Sequence, residues 1–165
     1  MPMPTPPKPG EEPTNEAELY RYHLRRLITW YIEALDPAAP EAFSWRPPTS
    51  GEANSLAAIC THAITSAEWW VLSCCGDGPL ERDRDAEFAA DVSWADLRPR
   101  FQAFLGAAEA LLDGKTSEQL AAISRHPAGD RMVRRCLTHT VEHLGLHLGH
   151  IEITLDWWKS ATASA

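Results

Sequence analysis

The sequence predicts an all-α protein, built as a four-helix bundle with long connections. Three observations favour this fold class. Apolar residues recur at helical spacing in four long segments, and residues that commonly cap helices precede those segments. No segment of useful length alternates apolar and polar residues as a strand does. A chain of 165 residues has the size of one domain, so four amphipathic helices can enclose one core.

The first expected helix follows a proline-rich tail. We expect residues 1–13 to be extended and residues 14–160 to form the bundle domain. Asn15 can cap the helix, and Glu18 stands three residues later, where it would complete a capping box. Apolar side chains then recur at helical spacing up to Leu35.

A proline-containing connection separates the first helix from the second. Residues 36–51 predict a loop with one short helical turn around residues 39–43. Asn54 or Ser55 caps the second helix, which is expected to end near Cys75 because glycine and proline follow it. The length of this connection allows an arrangement other than simple up-down-up-down.

An acidic and polar loop is expected over residues 77–91, before the third helix. Ser93 can cap that helix, with Asp96 in the capping-box position and Gly114 at its end. Residues 117–123 predict a short additional helix.

The last long helix is expected from Arg131 to about Trp158, with Asp130 as its cap. It contains four of the seven histidines, which are His139, His143, His147 and His150. At about 100° per residue, their four side chains fall within an arc of roughly 80°. His143 and His147 lie one turn apart on the same face, so their rings can hold one transition-metal ion.

A third imidazole would complete a three-histidine site with an open coordination position, as in catalytic metal centres. The candidates are His23, His62 and His126. We expect His126 to be exposed, because it precedes a proline in a loop-like stretch, whereas His23 and His62 lie on helices that face the bundle. The alternative is a polar core, but burying imidazoles without partners costs about 1–3 kcal/mol each. Spacing alone leaves the third ligand open.

Two segments resemble the histidine motifs of the DinB superfamily, also called the YfiT-like family. They read SLAAICTHAITSAEWW and VEHLGLHLGHIEI, and the stretch ALDPAAPEAFSWRPP is similar to the connection before the family's first motif. The resemblance implies a four-helix bundle with one divalent metal ion, held by His62, His143 and His147. It also implies that Gly149 lets another helix approach closely. His150 stands where the family often has glutamine, and the pair Gly149-His150 resembles the branch related to mycothiol-dependent maleylpyruvate isomerase.

The resemblance implies a metal-dependent enzyme, a thiol-dependent S-transferase or a hydrolase, that acts on a small molecule. Imidazole ligands favour zinc or nickel, with iron, copper or manganese as alternatives. A low-molecular-weight thiol is a possible second cofactor, because a metal ion favours the deprotonated thiolate. Among the neighbouring acidic residues, only Glu68 has helical proximity to His62 as a partner for its second ring nitrogen.

Further residues flank the expected ligands. His139 and His150 are candidates for a general acid or base, or for hydrogen-bonding groups that line a cavity. Trp69 and Trp70 either wall the site or belong to the core. Cys136 shares the histidine face, either as a small buried hydrophobe or as a redox-sensitive thiol.

Composition limits the partners and the location of the chain. A net charge of −8 argues against a nucleic-acid-binding surface. No apolar run approaches the ~20 residues that span a bilayer, and no signal peptide is evident, so we expect a cytoplasmic protein without a membrane partner. The tryptophans near the C-terminus and the family resemblance predict a homodimer.

Two other functions remain open at this stage. One is a non-catalytic metal-binding or stress-response bundle, in which His139 or His150 would close the metal site as a fourth ligand. The other is a haem-binding bundle, since bundle histidines also serve as axial ligands.

Overall fold

The computed structural model describes residues 12–48, 53–76, 78 and 81–163, and almost all regular structure in them is helical. The helices are α1 (Glu16–Leu35), α2 (Glu41–Ser44), α3 (Leu56–Ala67), α4 (Arg84–Phe88), α5 (Trp94–Leu112), α6 (Ser117–Ala121) and α7 (Val133–Ala163). A π-helical segment, Glu68–Ser73, continues α3. Two-residue strands, β1 (Ile123–Ser124) and β2 (Arg131–Met132), pair antiparallel. The predicted fold class, an all-α four-helix bundle, is confirmed.

The four long helices form a bundle in which α1 and α3 occupy opposite corners. Helix α1 packs against α5 and α7, and α3 packs against the same two helices. Glu16 pairs with Arg134, and the Tyr31 hydroxyl donates to the Leu144 carbonyl at 2.9 Å, so α1 runs parallel to α7. The predicted long connection between the first two long helices therefore crosses the bundle diagonally.

Ion pairs show the direction of α5. Arg25 donates to Glu109 at 2.8 Å, and Arg98 donates to Asp36 at 2.9 Å, so α1 and α5 are antiparallel. The site contacts described below show that α3 is antiparallel to α7. The order along the chain is therefore up, down, down, up, which differs from a simple up-down-up-down bundle.

The helix starts largely follow the predicted caps. Ser55 accepts a hydrogen bond from the Ala58 backbone N–H, and Ser93 forms a complete capping box with its partner three residues later. Asn15 caps α1, but the expected box is only half formed. The Glu18 carboxylate accepts from the backbone N–H of Thr14 at 3.0 Å instead of from Asn15.

The start of α7 was predicted wrongly. Residues 131–132 form strand β2, and the helix begins at Val133, whose backbone N–H donates to the Ala122 carbonyl at 3.1 Å. This hairpin occupies the backbone before the helix, and the Asp130 carboxylate pairs with Arg125 rather than capping α7. The helix also continues past Trp158 to Ala163.

The polar loop expected over residues 77–91 contains a helix that the sequence analysis missed. Asp83 caps α4 by accepting a hydrogen bond from the Ala86 backbone N–H at 3.0 Å. A helix as short as α4 shows too little apolar periodicity to be recognised.

Two local expectations are also wrong. His126 is only 8% exposed, because its ring packs edge-on against Trp69 and its Nδ1 accepts the Ala128 backbone N–H at 3.1 Å. A Cβ built on Gly149 meets nothing within 4 Å, so no other described helix approaches that glycine closely.

The expectation of an extended N-terminal tail falls on residues that lie mostly outside the described part of the chain. Residues 49–52 of the first connection lie outside it as well. Within the described ranges, no helix has the length and apolar character needed to cross a membrane.

Candidate metal centre

Three histidine rings converge where α3 faces α7. His62 comes from α3, and His143 and His147 lie one turn apart on α7. Nε2 of His143 is 3.2 Å from Nε2 of His62 and 3.2 Å from Nε2 of His147. One ring nitrogen from each residue lies within 4.8 Å of the other two. The structure thus brings together the ligand set implied by the family resemblance.

The spacing of these nitrogens fits a metal ion. A tetrahedral zinc site with Zn–N bonds of ~2.0–2.1 Å separates its ligand nitrogens by about 3.3 Å. Metal ligation also requires neutral imidazoles with a free lone pair. Burial, together with the neighbouring imidazoles, lowers the pKa of His143 to about 3 and that of His147 to about 4. Both rings are therefore neutral near pH 7 without a metal.

A carboxylate lies behind His62. Its Nδ1 is 2.7 Å from Oε2 of Glu87, whose side chain is only 3% exposed. Arg82 donates from Nε to Oε1 of Glu87 at 2.6 Å and from Nη2 to Oε2 at 2.9 Å. Phe88 stacks on the His62 ring, with the ring centroids 4.5 Å apart. The segment around α4 therefore surrounds the side of His62 that faces away from the other two histidines.

Burial and polar contacts have opposite effects on the pKa values of Glu87 and His62. Burial raises the pKa of Glu87, but the hydrogen bonds from Arg82 and His62 and the charge of Arg82 outweigh this effect and hold the pKa below its ordinary value. Burial lowers the pKa of His62 more than Glu87 raises it. Glu87 is therefore an anion and His62 is neutral near pH 7.

Sequence reasoning missed Glu87 and favoured Glu68 as the partner of His62. In the structure, Glu68 accepts hydrogen bonds from Arg100, whose Nε lies 2.9 Å from Oε1 of Glu68. Glu87 is 25 residues from His62 in the chain. The only local signal was the acidic character of the loop, which does not indicate which carboxylate folds onto the ring.

The two flanking histidines occupy different positions. The His139 ring lies 5.4 Å from the His143 ring and 4.5 Å from the Trp70 ring. His139 and Trp70 both line a surface cavity of about 410 Å³. His150 places its Nδ1 3.4 Å from Nδ1 of His147, on the side of that ring away from the converging nitrogens. His139 thus faces a cavity beside the three-histidine cluster, and His150 contacts the Nδ1 side of the His147 ring.

The remaining candidates lie outside the cluster. Trp69 faces a separate cavity of about 300 Å³, together with Glu68 and Arg100. His23 lies on α1, where its ring packs edge-on against Tyr22 at 5.4 Å. Cys136 is a buried free thiol.

The chain belongs to the DinB superfamily, whose sequence profile matches residues 23–151. Its fold is similar to the crystal structure of a conserved protein from Enterococcus faecalis, with a TM-score of 0.65, 15% identity, and coverage of 88% of this chain and 98% of that one. It is also similar to a histidine-to-alanine mutant of a mycothiol-dependent maleylpyruvate isomerase, with a TM-score of 0.57 and 15% identity. That match covers 85% of this chain but only 60% of the isomerase. No curated protein sequence matches the chain significantly.

Proposed function

We propose that this protein is a metal-dependent enzyme that acts on a small molecule through one divalent ion held by His62, His143 and His147. The observation that carries the proposal is the convergence of three neutral imidazoles, with Nε2 separations of 3.2 Å from His143 to each of the others. Three protein ligands leave a position open on the ion, which is typical of catalytic sites.

A divalent ion at these nitrogens supplies Lewis-acid chemistry, by activating a water, polarising a carbonyl or stabilising a thiolate. The protein contributes the surroundings. Trp70 offers an apolar wall to the neighbouring cavity, and His139 presents ring nitrogens in the same cavity. Burial lowers the pKa of His139, so its neutral ring is suited to accept a proton as a general base.

The finer parts of the proposal rest on the family and on the donor chemistry. Imidazole donors favour zinc or nickel, with iron or manganese as alternatives. Similarity to a mycothiol-dependent isomerase supports a thiol-dependent S-transferase, with a hydrolase as the other reaction class, and a low-molecular-weight thiol as co-substrate. The cysteines are free thiols, which agrees with a reducing cytoplasmic location.

A homodimer is part of the same proposal. Leu146, Ile153 and Trp157 lie on one face of α7 and are 58%, 53% and 49% exposed. Apolar side chains that recur at this spacing on a helix can pack against a second copy of the same helix.

The alternative of a closed, non-catalytic metal site needs a fourth protein ligand. Neither His139 nor His150 belongs to the group of nitrogens that lie within 4.8 Å of one another. The arrangement of the described side chains therefore favours an open site.

Metal analysis tests the proposal. We expect about one equivalent of zinc or nickel per wild-type chain, and loss of that metal in His62→Ala and in His143→Ala. His23→Ala is the matched control, because it removes an imidazole from α1, outside the cluster, and should retain the metal. A wild-type protein that takes up no metal after supplementation with either ion would overturn the proposal, as would undiminished metal in both ligand variants.

A further inference from the structure

The segment that contains α4 contacts His62 on both its edge and its face. Glu87 approaches the Nδ1 edge at 2.7 Å, and Phe88 covers the ring face with centroids 4.5 Å apart. His62 is only 5% exposed as a result. The segment thus leaves Nε2 as the ring nitrogen that is directed at the other two histidines.

The contact with Glu87 determines which nitrogen of His62 carries the proton. An ionised carboxylate can only accept hydrogen bonds, so Nδ1 of His62 must donate to Oε2 of Glu87. Arg82 also lies 3.4 Å from Nδ1, but a protonated Nδ1 cannot accept from a guanidinium. The Arg82 donors are directed to the carboxylate instead. Nε2 of His62 therefore carries the lone pair that a metal ion requires.

Three hydrogen bonds from His62 and Arg82 hold both oxygens of Glu87. Oε2 accepts from both His62 and Arg82, while Oε1 accepts from Arg82. The side chain is buried, and its oxygens are not in the group of nitrogens that can hold an ion. A buried group with hydrogen bonds to both of its oxygens is suited to orient a neighbour rather than to contact substrate.

His62 differs in this respect from the other two ligands. Nδ1 of His143 is buried without a hydrogen-bond partner among the described residues. Among the described residues, the hydrogen-bond partner of His147 Nδ1 is Nδ1 of His150, at a long distance of 3.4 Å. Within the described part of the chain, a carboxylate thus orients one ligand ring of the three.

We propose that Glu87 and Arg82 are positioning residues, which fix His62 in its Nδ1–H tautomer and direct Nε2 towards the ion before it binds. This inference rests on the proposed function and deepens it. Arg82 holds the carboxylate through two nitrogens, and the carboxylate holds the ring. A ring fixed in this way loses less conformational freedom when the ion binds, so the pair should increase metal affinity.

The tautomer can be measured in the metal-free protein by long-range ¹H–¹⁵N NMR near neutral pH. We expect the wild type to show His62 with its proton on Nδ1. In Glu87→Ala this preference should be lost, and both tautomers of His62 should be populated. Glu87→Gln should keep the Nδ1–H form, because the amide oxygen can still accept the hydrogen bond.

Zinc affinity gives a second measurement on the same variants. Loss of an outer-shell partner typically weakens metal binding by about 10–100-fold, which we expect for Glu87→Ala, with a smaller loss for Glu87→Gln. Asp85→Ala is the matched control, because it removes an exposed carboxylate from the same short helix without touching His62. It should leave both the tautomer and the affinity unchanged.

The outcomes separate this inference from the proposed function. If Glu87→Ala and Glu87→Gln both retained the wild-type tautomer and the zinc affinity of Asp85→Ala, the positioning role would be wrong. If the wild type bound no metal while the tautomer still depended on Glu87, the proposed function would fail and the orienting contact would stand. Circular dichroism of each variant would check that the bundle remains folded.

Discussion

Tyr31 shows how a single buried polar group contributes to this bundle. Its side chain is fully buried, its ring packs 4.9 Å from that of Phe101, and its hydroxyl donates to the Leu144 carbonyl at 2.9 Å. Tyr31→Phe keeps the ring and removes only the hydrogen bond. We expect this substitution to lower the free energy of unfolding by about 1 kcal/mol, measured by urea denaturation.

Tyr22 is the control for that substitution. Its hydroxyl accepts a long hydrogen bond from Arg26, at 3.4 Å, and its side chain is partly exposed. Tyr22→Phe should therefore change the free energy of unfolding by less than about 0.5 kcal/mol. Equal effects of the two substitutions would mean that the Tyr31 hydrogen bond makes no net contribution.

Individual site residues were predictable to different degrees. The pair His143 and His147 follows from helical spacing, because residues one turn apart share a face. His62 was one of three candidates by spacing, and only the family resemblance favoured it. Glu87 was not predictable, because its contact with His62 depends on how a loop folds back over α3.

At the scale of elements, the four long helices were predicted well because each repeats the same apolar pattern over many turns. The short elements were not, since α4 and the hairpin of β1 and β2 are too brief for a pattern to emerge. The hairpin also moved the start of α7, because its long-range hydrogen bonds replaced the expected local cap.

Helix α7 contains glycines that its own packing does not require. A Cβ built on Gly145 meets nothing within 4 Å, and glycine in a helix interior is less favourable than alanine by about 0.5–1 kcal/mol. Gly145→Ala should therefore raise the free energy of unfolding by about that amount, measured by thermal or urea denaturation.

Gly114 provides the opposite case. It follows α5 with φ at +66°, a conformation that disfavours a side chain. Gly114→Ala should lower stability by about 1 kcal/mol. If Gly145→Ala instead lowered the free energy of unfolding, the expected stabilisation would be wrong. That result would indicate that another chain packs closely against the face of α7 on which Gly145 lies.

At the scale of the whole molecule, the candidate metal site connects parts of the chain that are far apart in sequence. His62 and His143 are 81 residues apart, and they meet because α3 and α7 pack side by side with opposite directions. Local sequence patterns predict each helix but not which helices become neighbours. The long diagonal connection after α1 made several arrangements possible, and the resemblance to a known family implied which histidines meet but not the order of the helices.

The same geometry predicts that a metal ion stabilises the folded protein. An ion held by side chains of both α3 and α7 binds the native state in preference to the unfolded chain, because the unfolded chain no longer presents the three nitrogens at one point. At a free zinc concentration of about 100 times the dissociation constant, the stabilisation is about 2.7 kcal/mol. For a chain of this size, the wild-type melting temperature should rise by roughly 5–10 °C when zinc is added to the metal-free protein. His143→Ala should lose this rise in melting temperature, because it leaves the site with two imidazoles instead of three. His23→Ala should keep the rise, because it leaves the three imidazoles in place. An equal rise in the melting temperature of His143→Ala would show that zinc stabilises the protein from another position. The prediction that the three-histidine site is the source of this stabilisation would then be wrong.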